Sequence, residues 1–247
     1  YVDKLLDGLS IEGALVGYPL TFKGLFQFYN TQLCPHGPPR DASELEEWKQ
    51  KLPSGVVPLA YDASNPFFHA PFFIGAGGEL FGQDGKTFTL FEEPGLKSYR
   101  WPGQWKRSGV LPPEPNYNEM VRLFQSGKAA TIIVGPWYQP SGEIGASGTW
   151  DIAPLFQIWG KPTGSFVTVE GVYVSARTRH PEQAAQVASF LAGAVGEKER
   201  FDRLGLPPVT RAAYDKLDPS PSSSRQVAMV RVQRQSLEHG IVTPNSA

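Results

Sequence analysis

The sequence predicts an α/β fold, and three observations carry that prediction. Tyr117, Met120, Leu123 and Phe124 recur at i, i+3 and i+4 spacings, which places them on one face of a helix. Residues 130–134, Ala-Thr-Ile-Ile-Val, follow almost at once and are apolar except for Thr131. Such a run suits a strand buried on both faces, as in a parallel sheet. The chain's 23 Pro and 26 Gly point to many turns between short elements. With 247 residues, 40% hydrophobic and 19% charged, the composition is that of an ordered globular chain with a sizeable core. That length allows one large domain or two smaller ones.

The helix and strand of residues 116–138 come with their own punctuation. Asn116 followed by Glu119 has the form of a capping box, and Gly127 sits where a helix would end. Gly135-Pro136 stops the strand, and Trp137 and Tyr138 come next. Ligands of α/β sheets gather just beyond the carboxyl ends of strands. Trp137 therefore reads either as a ligand platform or as a core ring that closes the sheet edge. Gly127-Lys128-Ala129-Ala130 through Gly135-Pro136-Trp137 resembles the signature of extracellular solute-binding proteins of the maltose/maltodextrin-binding type. The resemblance implies that Trp137 stacks on a sugar.

Taken in order, residues 2–9 read as a short helical turn, and residues 13–21 as an extended segment. Gly17-Tyr18-Pro19-Leu20 and Phe28-Tyr29-Asn30 resemble the family's first crossing between two lobes and the first strand of its second lobe. Ser43 with Glu46 reads as a second capping box, with Leu45, Trp48 and Leu52 on one helix face. Trp48 is accordingly expected in the core. Residues 56–61 are a strand candidate, weakened by Pro58.

Residues 65–78 are spaced as in the family's aromatic ligand loop and following helix. Asn65, Pro66 and Phe67 stand where the family carries Glu-Pro-Tyr. A carboxylate and a phenol hydroxyl are lost there, so stacking survives while hydrogen bonding to sugar hydroxyls is reduced. His69 has no acidic or nucleophilic neighbour in sequence and is expected to be structural. Residues 79–91 read as a hairpin and residues 95–113 as an irregular loop holding Trp101 and Trp105. Residues 149–154 resemble the family's edge strand, and residues 165–176 its second crossing. His180-Pro181-Glu182 opens a helix whose buried stripe is expected to be Ala184, Val187, Ala188 and Leu191. A short helix around Phe201 ends at Gly205, residues 219–224 are a linker by composition, and residues 227–237 form a weak helix.

The resemblance runs from about Tyr18 to Tyr214 and implies a periplasmic-binding-protein-like fold of type II. Family members have two α/β lobes, with sugar held in the cleft between them by hinge closure. The architecture expected here is an incomplete bilobal one with one complete or near-complete lobe. Residues 1–22 would be the first crossing and a remnant of the first lobe, and 23–165 the main lobe. Residues 166–218 would be the second crossing and first-lobe helices, and 219–247 the linker and C-terminal helix. The opening Tyr1-Val2-Asp3-Lys4 does not read as a natural start, and an upstream segment is expected.

Net charge is -1, with no basic stripe, which argues against nucleic acid or an anionic membrane as the main partner. No signal peptide or membrane-length apolar run is present in these residues. Cys34 is the single cysteine, so no internal disulfide forms and a Cys-based metal site is not expected. No phosphate loop, nucleophile elbow or metal-spaced His cluster appears, and no cofactor is expected. Asp62, Glu143, Asp151 and Glu170 offer carboxyl groups, but no spacing selects a glycosidase pair, so a non-enzyme is expected.

The leading expectation is an extracytoplasmic, monomeric carbohydrate-binding domain serving an ABC sugar importer. Trp137 and Phe67 would supply the rings, and Lys23, Asn65 and Tyr138 the polar groups. Lys23 stands where the family has a carboxylate. The alternative is a degenerate domain of a transporter permease that docks a separate solute-binding protein and takes no ligand itself.

Overall fold

A computed structural model describes residues 2–82, 84, 86–214, 216 and 225–243. The chain divides into two compact units. The first comprises residues 1–24, 167–234 and 242–247, and the second residues 25–166 and 235–241. The linker expected at 219–224 lies outside the described residues.

The first unit opens with helix α1 (Asp3–Asp7) and the short hairpin of β1 (Ser10–Ile11) and β2 (Ala14–Leu15). Glu12 and Gly13 both take positive φ, 50° and 79°, as a two-residue hairpin turn requires. Strand β3 (Tyr18–Lys23) follows and leads into the second unit.

The second unit is built from β4 (Phe26–Asn30), α2 (Leu45–Lys51), β5 (Val57–Ala60), α3 (Pro66–Gly75), α4 (Glu93–Ser108), α5 (Tyr117–Gln125), β6 (Ala129–Val134), α6 (Gly142–Ser147) and β7 (Trp150–Ala153). Its sheet runs β5-β6-β4-β7. All six residues of β6 are buried, as its composition predicts. The sheet around it is mixed, because β6 runs parallel to β5 and antiparallel to β4. Phe26 and Phe28, both fully buried, stack at 5.2 Å, and each side chain so buried contributes about 1.5–3 kcal/mol. β7 is the edge strand, as expected.

Four local readings need correction. Residues 95–113 are mostly helix, since α4 spans Glu93–Ser108. Pro94 sits in its first turn, where a missing N–H costs nothing. Pro102 lies inside it and gives up one hydrogen bond, but Trp101 and Trp105 share its buried face and pack against Phe72 at 6.5 and 5.2 Å. Tertiary burial outweighs local propensity there. Asp41 caps the 3-10 turn Ala42–Glu44 that leads into α2, accepting from the Ser43 N–H at 2.8 Å, and α2 itself has no side-chain cap, so the Ser43 box is not made. Trp48, expected in the core, is half-buried on α2. The hairpin expected at residues 79–91 forms as a short one: Phe81 bridges Phe88, the Thr89 N–H donates to the Leu80 carbonyl at 3.1 Å and the Gly82 N–H to the Thr87 carbonyl at 2.8 Å, and Asp84 accepts from the Lys86 and Thr87 N–H groups at 2.9 and 2.8 Å.

The return path includes β8 (Phe166–Val172), α7 (Pro181–Ala192), α8 (Ala194–Leu204), α9 (Arg211–Tyr214), α10 (Arg225–His239) and β9 (Ile241–Val242). A three-stranded sheet runs β3-β8-β9. The predicted stripe of α7 is the fourth correction. Ala188 is buried, but Val187 is 58% and Leu191 39% exposed, and Ala184 is half-buried. α7 lies against β3 and α8 and buries its small residues Ala188 and Ala192, so its large apolar side chains face outward.

Buried Glu197 of α8 organises the segment after Gly205. One carboxylate oxygen accepts from the Val209 and Thr210 N–H groups at 2.6 and 2.8 Å, and the other from the Thr210 hydroxyl at 2.6 Å. These charge-assisted bonds explain how a carboxylate is held inside.

Candidate functional site: an aromatic corner

Two turns aim the two rings singled out by sequence. Before α3, Asp62 accepts from the N–H and hydroxyl of Ser64 at 3.1 and 2.6 Å, which folds residues 62–64 into a tight turn. Asn65 then caps α3, accepting from the Phe67 N–H at 3.0 Å, and Pro66 occupies the first turn. Phe67 therefore projects from the start of a helix with a fixed entry angle. On the other side, β6 ends at Val134, and the Tyr138 N–H donates to the Gly135 carbonyl at 3.1 Å. That turn folds Trp137 back over Gly135, where an added Cβ would fall 2.0 Å from the indole.

The structure brings these rings together. Phe67 and Trp137 have centroids 6.1 Å apart with planes at 44°. Phe68 meets Trp137 edge-on at 6.2 Å and 85°, and Phe67 at 5.7 Å and 81°. Phe68 is buried and supports the other two, while Trp137 remains 40% exposed and Phe67 half-buried. The result is an apolar corner open to solvent. Such a surface suits the C–H face of a sugar ring, with polar groups at its margin setting orientation.

The polar candidates are placed differently from one another. Asn65 is exposed at the edge of the corner. Its carbonyl oxygen serves the helix cap, and its amide N–H groups have no partner among the described residues. Tyr138 is buried, with its ring against Phe28 at 5.2 Å and Phe124 at 6.2 Å. Its hydroxyl has no partner among the described residues, and burial, with the neighbouring Tyr117 phenol, pushes its pKa up to about 12. Lys23 belongs to the first unit, where its ammonium donates to Glu170 at 2.5 Å across the β3–β8 pair.

His69 of α3 is fully buried, with its ring against Tyr61, Phe72 and Tyr99. Its Nδ1 is 3.1 Å from the Tyr61 hydroxyl and its Nε2 3.0 Å from the Ser98 hydroxyl. The Ser98 hydroxyl spends its one proton on the Gly95 carbonyl at 2.7 Å, so it accepts from Nε2–H, and Nδ1 accepts from Tyr61. The ring is neutral, and burial lowers its pKa to about 3. A histidine with both nitrogens engaged inside the core is a structural one.

Two contributors escaped the sequence reading. Phe68 was indistinguishable from the other phenylalanines of its run, and Tyr117 read only as part of a helix face. The structure sets Tyr117 5.7 Å from Phe68, extending the aromatic surface along α5. Among the described residues, no group of three or more His, Cys, Asp or Glu stands together as a metal site. Cys34 is buried, and burial raises its pKa to about 12.

Comparison with known proteins gives one family profile, described as bacterial extracellular solute-binding protein, that matches residues 1–229. The chain is 26% identical to the galactooligosaccharide-binding protein of Bacillus subtilis (strain 168), over 99% of this chain and 60% of that protein. It is 23% identical to the maltodextrin-binding protein MdxE of the same organism, over 87% of this chain and 55% of that one. Among solved structures, a cyclo/maltodextrin-binding protein complexed with maltotetraose superposes with a TM-score of 0.84 at 24% identity, covering 100% of this chain and 64% of that one. The GacH receptor of Streptomyces glaucescens, solved unliganded and with acarbose, gives 0.82 at 21% identity, covering 99% and 64%. The fold is thus periplasmic-binding-protein-like, and the chain spans less than two thirds of the length of these relatives.

Proposed function

The chain belongs to the bacterial extracellular solute-binding proteins, and on that footing we propose that it takes part in binding a neutral, maltodextrin-like oligosaccharide outside the cytoplasm. The observation that carries this reading is the Phe67–Trp137 corner, two partly exposed rings 6.1 Å apart at strand and helix ends. The relatives named for galactooligosaccharide and maltodextrin support the substrate class. The protein would act without catalysis, delivering sugar to the membrane subunits of an ABC importer. Trp137 and Phe67 stack on the sugar, and Asn65 offers its free amide N–H groups at the rim. Lys23 is held by Glu170, and the hydroxyl of buried Tyr138 gives the sugar no contact. Among the described residues no helix is long and apolar enough to cross a membrane.

A second reading, a docking module without its own ligand, draws on the same side chains. The Asn65 oxygen is engaged in the helix cap and the Tyr138 hydroxyl is buried, so little polar capacity remains at the corner. Calorimetric titration with maltotriose separates the two. Heat that vanishes in Trp137→Ala supports sugar binding. No heat across a panel of neutral oligosaccharides rejects it in favour of docking.

A further inference from the structure

The second unit holds a second aromatic pocket, at the opposite end of α3 from Phe67. It has a volume of about 350 Å³ and is lined by Gly75, Ala76, Lys97, Trp101, Ile158, Trp159 and Lys161. α3 has ten residues, so its two ends stand about 15 Å apart. Trp101 and Trp159 meet at 4.2 Å, yet Trp159 stays 50% exposed.

Trp159 is also held in a conformation that bulky residues avoid. It has φ 49° and is followed by Gly160 at φ 76°, in a two-residue turn closed by the Ile158 and Lys161 backbones. A non-glycine residue in this region costs of order 1–3 kcal/mol and persists only where its surroundings impose it. Here Asp41 imposes it. Its carboxylate accepts from the Gly160 N–H at 2.6 Å and from the Trp159 N–H, and on its other side from Ser43. Burial raises the Asp41 pKa, but these hydrogen bonds outweigh it and the net direction is down. The turn thus presents a large indole to solvent, against the local preference of the chain, beside two ammonium groups. No carboxylate lines the pocket among the described residues.

We propose that this pocket binds an acidic sugar unit, a pyranose ring bearing a carboxylate. The exposed Trp159 indole, backed by buried Trp101, takes the C–H face of the ring, and Lys97 and Lys161 take the carboxylate. A pocket of this volume sits at the small end of the range for small-molecule sites, which suits a ligand of one or two rings. The charge pattern selects an anion over a neutral sugar. Both lysines are exposed, so the attraction is screened by salt and the affinity is modest. The inference does not depend on the Phe67–Trp137 corner.

The test is calorimetric titration of the whole chain with digalacturonic acid at low ionic strength, with maltose as the neutral control. Binding is expected at millimolar or lower concentration, weaker in high salt and unchanged in Trp137→Ala. Trp159→Asn removes the indole while keeping the turn, since Asn tolerates positive φ, and is expected to weaken binding roughly tenfold or more. The double variant Lys97→Glu/Lys161→Glu leaves the turn untouched and is expected to abolish binding, even if Trp159→Asn fails to fold. No binding by the wild-type chain overturns the proposal. So does binding undiminished in the lysine variant, or equal binding of maltose at this pocket.

Discussion

Trp137 lies across Gly135, so close that a Cβ at position 135 would stand 2.0 Å from one indole carbon and 2.3 Å from another. The glycine that ends β6 is thus required by the ring two residues later. Gly135→Ala is expected to tilt the indole away from Phe67 and to cost about 1–3 kcal/mol in stability through overpacking. Urea denaturation reads the stability loss. Tryptophan emission reads the altered exposure, and maltotriose affinity is expected to fall alongside it.

Tyr138 carries a hydroxyl with no hydrogen-bond partner among the described residues. Leaving such a group inside costs about 1–3 kcal/mol. Tyr138→Phe is therefore expected to be neutral or to stabilise by about 1 kcal/mol, with oligosaccharide affinity unchanged. A drop in affinity in this variant would instead assign the hydroxyl to the ligand.

His69 makes stability depend on acid. Its ordinary pKa is 6.5, and in the folded protein it lies at about 3, because the buried ring resists protonation. Below pH 6.5 the unfolded chain takes up a proton that the folded one does not. Stability present above pH 6.5 is thus lost as pH falls toward about 3, at about 1.4 kcal/mol per pH unit and about 5 kcal/mol at most. Urea midpoints measured from pH 7 to pH 4 are expected to show this decline, and His69→Gln to flatten it while lowering stability at pH 7. An equal slope in both proteins would place the acid sensitivity elsewhere.

Removing the Glu197 carboxylate leaves the buried Val209 N–H, the part-buried Thr210 N–H and the Thr210 hydroxyl without their acceptor. Glu197→Ala is expected to destabilise by about 3 kcal/mol or more, since each bond to a charged group is worth about 1.5–3 kcal/mol. Hydrogen exchange at the Val209 and Thr210 amides would report the release directly. Unchanged protection there would show that the segment is held by other contacts.

The readable parts of the sequence were those whose signals are local. Asn116 caps α5 by accepting from the Glu119 N–H at 3.0 Å, and six buried residues make β6, both as the spacing predicts. The box is only half made, however, because the Glu119 side chain turns to Arg122. Helix α4 was illegible because Pro102 contradicts it locally, and what forms it is the packing of Trp101 and Trp105 on Phe72, about thirty positions away. The periodicity of α7 identified apolar positions but carried no information on which of them would be covered. The meeting of Phe67 with Trp137 had no signature in either segment alone, and family resemblance was its only advance sign. Asp41 and the Trp159 turn gave none at all, since neither Asp before Ser nor Trp-Gly specifies its partner.

Asp41 and Gly160 are 119 positions apart in the chain. Closing so long a loop is entropically slow, and contacts of that separation form only after shorter-range structure is in place. The turn that aims Trp159 therefore takes shape late, once most of the second unit has assembled. Until then the chain holds its indole in no fixed direction, so a growing chain that has only just passed Lys161 would carry the residues of that pocket without its geometry.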